Sequence, residues 1–214
     1  MVIEVSHAGK SFGDQKVLED ITLTVPAGQR MIILGQNGAG KTTLLRCLLG
    51  HYRLDTGEVR IAGVNPAQNR QQALASVAFI PQLPPPLPFS IRSLFEFASK
   101  TSGLLVQDAI DYCHRFGLRV QDHWNKPFNK LSGGMKQKVL ASLAFARNSP
   151  IMFFDEPTAN LDAEGRVTFG NIIRDERFSQ TTMIFISHRI EELNTLLNRA
   201  VWLDLGRIVK DEKL

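Results

Sequence analysis

The stretch RMIILGQNGAGKTTLLRCLL, Arg30 to Leu49, limits what this chain can fold into more than any other. Its first five residues are almost wholly apolar and Ile-rich and read as a buried strand; KTTLLRCLL reads as a helix with one apolar face. Between them GQNGAGKT, Gly35 to Thr42, matches GxxxxGK followed by Ser or Thr at every fixed position. A strand that turns through glycines into a helix N-terminus is a phosphate cradle. The glycines allow successive N–H groups to face phosphate oxygens, and the helix start adds the positive end of its dipole. Lys41 would reach the terminal phosphates, and the Thr42 hydroxyl would ligate magnesium.

The rest of the chain fits an α/β reading. VIEVS, ITLTV, EVRIAG, SVAFI, IMFFD, TTMIFIS and AVWLDL are strand-like, and AEGRVTFGNIIRDERF and RIEELNTLL are helix-like. Strands alternating with helices predict a largely parallel core sheet. Between these ends the texture changes. PQLPPPLPFS packs five prolines into Pro81 to Pro88, a stiff extended segment. IRSLFEFAS, LLVQDAIDYCHRFG and GGMKQKVLASLAFA then read as helices, so a helical insert is expected between two α/β ends. In the last of these helices Met135, Val139, Leu143 and Ala146 are expected to share one apolar face. No internal repeat is visible.

Composition narrows the partners. The net charge of +4 is spread along the chain, with no Lys/Arg block. That suits polyanionic nucleotides or nearness to anionic lipid and does not call for nucleic acid. Cys47 and Cys113 are far apart and lack metal-ligand spacing, as expected of two reduced, buried thiols in a cytosolic protein. The N-terminal MVIEVSHAGK carries Glu4 and has no signal-peptide core. No apolar run reaches 18 residues, so any membrane role is expected to come through a partner.

Two further stretches carry chemistry. IMFFDE, Ile151 to Glu156, is an apolar run ending in two carboxylates. Alone it could be a strand that ends in a charged turn. Beside the phosphate loop it reads as a Walker B strand, with Asp155 holding magnesium through its water shell and Glu156 orienting or deprotonating the attacking water. FNKLSGGMKQKVLASLAFA, Phe128 to Ala146, opens a helix with a Ser-Gly-Gly turn, which is a second anion-ready helix start. Ser132 would in any case cap that helix.

The phosphate loop, LSGGMKQ and an apolar strand ending in DEPT, in that order, resemble the ATP-binding subunit of ABC transporters over essentially the whole chain. The resemblance implies one domain over residues 1–214. Its P-loop NTPase core, 1–82 and 148–214, would include an antiparallel β subdomain near the N-terminus, and 83–147 would be the helical insert. It implies ATP hydrolysis with ATP and Mg²⁺ as cofactors, and a head-to-tail pair with a second copy or a related ATPase. Gly35, Gln36, Asn37, Gly38, Ala39, Gly40, Lys41, Thr42 and Thr43 would cradle the chain's own nucleotide. Ser132, Gly133 and Gly134 would close on the γ-phosphate held by the partner, which gives the second cradle its purpose. Gln82 in FIPQ resembles the glutamine that ligates Mg²⁺ with Thr42 and Asp155 and links core to insert; otherwise it is an exposed loop residue. Phe12 resembles the aromatic that stacks on adenine, with Phe where the family more often has Tyr; otherwise it packs in the core. Asp162 in ANLD resembles the residue that crosses the dimer seam, and it could equally cap a helix. His188, at the end of IFIS, resembles the γ-phosphate histidine, here followed by Arg189.

His7, His51, His114 and His123 match nothing in that pattern, and Trp124 packs the insert or faces a partner. The chain would power a separate membrane permease from the cytoplasmic face of the membrane. SGGMKQK resembles the ABC-2 export group, and the maltose importers' long C-terminal domain is not seen, which favours export over a short importer ATPase. Two rivals stand beside this reading: an ABC-type mechanical switch without transport, and a small P-loop kinase. A kinase has no use for the LSGGMKQ turn.

Overall fold

The computed structural model describes residues 1–187 and 196–214. Among the described residues nine strands fall in two sheets. The first has the order β2-β1-β4, with β1 Ile3–Phe12 paired antiparallel to both β2 Gln15–Val25 and β4 Thr56–Ile61. The second has the order β5-β6-β7-β3-β8-β9 and contains β3 Arg30–Leu34, β5 Val77–Ile80, β6 Ile151–Asp155, β7 Thr182–Ile186, β8 Arg199–Asp204 and β9 Arg207–Lys213. This is the α/β architecture expected, with an antiparallel sheet near the N-terminus.

Cα packing divides the chain into two compact units. The first comprises 1–77, 150–153 and 180–214. In it β3 lies parallel between β7 and β8, and Met31 to Leu34 are all buried, as a strand covered on both faces requires. Helix α1, Lys41–Leu48, follows β3 directly and buries Leu44, Leu45 and Leu48. The C-terminal RIVKDEK, not among the stretches read as strands, forms β9. It pairs antiparallel with β8 through a two-residue turn at Leu205 and Gly206, both at positive φ (43° and 78°). Positive φ at both central positions makes a turn whose twist matches a hairpin. Arg199 clamps Asp211 with two bonds of 2.8 and 2.6 Å across the pair.

The second unit comprises 78–149 and 154–179. It holds α3 Ile91–Ser102, α4 Val106–Arg115, α5 Gly133–Ala146 and α6 Ala163–Arg174; the short α2, Arg70–Ala73, belongs to the first unit. The expected apolar stripe on α5 is too narrow a description. From Gln137 onward the helix buries Val139 and every residue from Ala141 to Ala146, as a helix inside a core does, while Met135 is only half-buried. Phe145 is its centre. The ring lies 5.5 Å from both Phe169 and Phe178, 5.7 Å from Tyr112, and 6.4 Å from both Phe116 and Phe154. Trp124 packs within the insert, edge-on to Phe95 at 5.3 Å, with the Arg92 guanidinium 5.9 Å over its ring. Among the described residues no helix is long and apolar enough to cross a membrane.

Candidate functional site

In the first unit the turn after β3 shows why glycine is needed. Gly40 sits at φ 101°, and a Cβ there would lie 2.7 Å from the Val17 carbonyl oxygen. Gly38 sits at φ 85° with nothing within 4 Å of a Cβ position, so the loop is open on that side. By helix geometry the N–H groups of Lys41, Thr42 and Thr43 have no carbonyl within α1. Gln36, Asn37, Gly38 and Thr42 are exposed; Ala39, Gly40 and Lys41 are buried. The Lys41 ammonium donates to the carbonyls of Gly35 at 2.6 Å and Gln36 at 2.9 Å, so the loop curls around its cation. An open glycine turn, a helix start and a held lysine fit a polyphosphate.

Phe12 is at the surface, 45% exposed, not in the core. Its ring meets Tyr52 edge-on at 5.2 Å, and the Lys10 ammonium lies 5.4 Å from its centroid. Lys10 is in turn held 2.7 Å from Asp55, which also accepts from the Ser11 N–H at 2.6 Å. The aromatic is therefore fixed in orientation while half its surface stays open.

The other expected residues, except His188, lie in the second unit. Asp155 ends β6 and is buried. Glu156 follows at φ 45°, a left-handed conformation that is costly for a non-glycine residue, more so before Pro157. A turn closes behind it, the Ala159 N–H donating to the Glu156 carbonyl at 3.1 Å. Ser132 caps α5, its hydroxyl accepting from the Met135 N–H at 3.2 Å. Gly133 is exposed with nothing within 4 Å of a Cβ position. Asp162 caps α6 through the Gly165 N–H at 2.7 Å and pairs with Lys138 at 2.9 Å. The hydrogen bond from Lys138, then that from Gly165, holds its carboxyl below the usual range. Gln82 is exposed and is the second residue of the proline segment, which is anchored just past its far end by the Phe128 N–H donating to the Phe89 carbonyl at 2.8 Å.

Among the described residues no three His, Cys, Asp or Glu side chains gather to hold a metal. The expected magnesium donors are one hydroxyl, one amide and one carboxylate, the hard-oxygen set of an ion that keeps waters and takes its other ligands from phosphate. His188 lies outside the described residues, as does most of RIEELNTLL. Three of the other histidines have side-chain partners: His7 pairs with Asp20 at 2.7 Å, His114 meets Gln121 at 3.0 Å, and His51 meets the Arg70 guanidinium. Both cysteines are buried free thiols, and burial pushes Cys47 up to about 11.

The motifs did not point to Gln137 or Asn160, yet both bond the backbone beside expected site residues. The Gln137 amide donates to the carbonyls of Pro81 and Pro157, and the Asn160 amide donates to that of Gln82. Their signal was slight, one letter each inside LSGGMKQ and ANLD.

The profile of the ABC transporter family matches residues 18–159, more than half of the chain. The chain belongs to that family. Among its relatives are the Nod factor export ATP-binding protein I of Rhizobium meliloti, 26% identical over 99% of this chain, and the spermidine/putrescine import ATP-binding protein PotA of Bacteroides thetaiotaomicron, 31% identical over 97%. The arabinose import ATP-binding protein AraG of Yersinia pestis is 34% identical over 94%. This ABC chain spans 64%, 45% and 40% of those three relatives' own lengths. An ATP-binding subunit of an ABC transporter shares the fold with a TM-score of 0.89 at 24% identity, covering 100% of this chain and 90% of that one. A bacterial Atm1-family ABC exporter with ATP bound matches at TM-score 0.85 and 25% identity, over 98% of this chain and 38% of the exporter's.

Proposed function

We propose that this chain forms a single ABC ATP-binding domain, with core 1–82 and 148–214 and insert 83–147, that hydrolyses ATP to drive a separate membrane permease. The observation that carries the reading is the presence in one chain of two glycine-lined helix starts, each open above a glycine, at Gly38 and at Gly133. A single nucleotide needs one such cradle. Two per chain suit a head-to-tail pair in which residues 35–43 hold the chain's own ATP and Ser132, Gly133 and Gly134 meet the neighbour's.

In that arrangement Phe12 carries the base and Lys41 meets the terminal phosphates. Thr42, Gln82 and Asp155 would hold magnesium, which when bound spreads the charge of the phosphate oxygens. Glu156 orients or deprotonates the attacking water, His188 contacts the γ-phosphate, and Asp162 lies at the seam. The chain does little bond-making of its own; it positions water and stabilises charge. It would sit at the inner face of the membrane through its permease, and no nucleic acid is expected.

Export is the favoured direction, on SGGMKQK and on the export relative. Import is the second reading, because the relatives named for import match at 31% and 34%, above the 26% of the export relative.

The test is Glu156→Gln. The amide fills the carboxylate's place but takes no proton, so ATP binding should persist while turnover falls roughly 10²–10⁴-fold. Size-exclusion chromatography with ATP should then show a stable dimer. A strictly monomeric variant at high concentration, or turnover that requires an acceptor other than water, overturns the reading.

A further inference from the structure

Resting on the reading above, we infer that Gln137 is a positioning residue: its amide holds the loops of Gln82 and Glu156 in register with the turn at Ser132 to Gly134. Gln137 lies one turn into α5 and is fully buried. Its Nε2 donates to the Pro81 carbonyl at 3.2 Å and to the Pro157 carbonyl at 3.3 Å. Both partners can only accept, so the amide has one possible orientation. Its Oε1 is then left buried with no hydrogen-bond partner among the described residues. An apolar side chain would fill the space without stranding an acceptor. Glutamine there makes sense for what its two N–H groups hold.

What they hold is specific. The Pro81 carbonyl belongs to the peptide group that enters Gln82. The next carbonyl, that of Gln82 itself, accepts from the Asn160 side chain at 2.9 Å. Both peptide groups flanking Gln82 are thus fixed. The Pro157 carbonyl lies just past Glu156, which stands at φ 45° and needs its surroundings to keep it there. The backbone of Asn160 also rests on the signature turn, since a Cβ at Gly134 would lie 3.2 Å from the Asn160 carbonyl oxygen. The first turn of α5 carries Ser132 and the two glycines, and its second turn carries the amide that sets Gln82 and Glu156. The helix therefore keeps the residues acting on the chain's own ATP at a fixed distance from the turn presented to the neighbour.

Gln137→Met keeps the volume and removes the donors. Steady-state ATP hydrolysis should show kcat reduced roughly 10- to 100-fold, the scale for misplaced catalytic groups. KM for ATP should stay within about threefold, because the loop from Gly35 to Thr43 is untouched. A residue that only stabilised the fold would lower melting temperature without this split. Asn160 is exposed, so Asn160→Ala leaves no cavity in the core. It should lower kcat by about 2- to 5-fold, one lost hydrogen bond's worth, at unchanged KM and melting temperature. Wild-type kcat in a folded Gln137→Met protein overturns the inference; should that variant not fold, wild-type kcat in Asn160→Ala overturns it. A wild-type chain with no ATP turnover overturns this inference together with the functional reading beneath it. An active wild type with unaffected variants overturns this inference alone.

Discussion

Ser132 offers a prediction in which stability and activity separate. Its hydroxyl caps α5 by accepting from the Met135 N–H at 3.2 Å, and in the proposed dimer it also faces the neighbour's phosphate. Ser132→Ala removes the cap, which costs about 1 kcal/mol. For a chain of 214 residues that lowers the melting temperature by roughly 2–4 °C. Ser132→Asp keeps a cap of equal quality, so its melting temperature should stay near wild type. It also places a carboxylate where the phosphate must come. Like charges about 4 Å apart repel by about 1 kcal/mol in water and about 4 kcal/mol near a protein surface. Turnover should therefore fall by roughly 5- to 1,000-fold at tenfold per 1.4 kcal/mol. Calorimetry paired with phosphate release on the same samples reads both quantities. A Ser132→Asp protein that is stable and fully active refutes the phosphate role. One that melts as early as Ser132→Ala refutes the cap as the source of stability.

Three further outcomes are expected. Lys41→Ala has a dead phosphate loop and Ser132→Arg a blocked signature turn; each alone should be nearly inactive, and mixing them should restore partial ATP turnover, whereas heterodimers that regain none would place the turn in cis or require both sites to fire. Replacing Pro84, Pro85 and Pro86 with glycine should spare ATP turnover of the isolated chain and impair transport by the assembled complex; unchanged transport would make the segment a plain linker. Asp162→Ala should lower the melting temperature by roughly 2–4 °C at pH 7. Because Lys138 and the Gly165 N–H depress the Asp162 carboxyl in the folded chain, its contribution is complete above the unfolded value near 3.9 and is lost as pH falls through the folded value. The gap between wild type and variant should therefore close in strong acid, and a gap constant from pH 7 to pH 2 would contradict the pairing.

The parts of the fold that follow local rules were legible. The glycine spacing of the loop at Gly35 to Thr42 announces a phosphate turn, and Ser132 announces a cap by standing before an apolar helix. Interactions that join distant segments were not. Periodicity could not show the second half of α5 buried on all sides, because the rings that cover Phe145 come from Tyr112, Phe116, Phe154, Phe169 and Phe178, 9 to 33 residues away. RIVKDEK hid a strand because an edge strand exposes its charges. Gln137 looked like one polar letter among lysines, since nothing local reveals that two proline carbonyls await its amide. DEPT names the residues of a strained turn, but not that Glu156 is the one that bears the strain.

The burial of α5 has a consequence for how such a chain can signal. Its exposed start, Ser132 and Gly133, is continuous with a segment packed on every side around Phe145. That start has no slack of its own, since interiors packed to crystal-like density shift between discrete arrangements and do not bend gradually. Amide exchange should then show an abrupt border, fast at Gly133 and slow from Gln137 onward, within a single turn of helix. In the proposed dimer, a signal from the neighbour's nucleotide at this turn would enter the middle of a folded core, and the chain would answer it by moving that core as a piece.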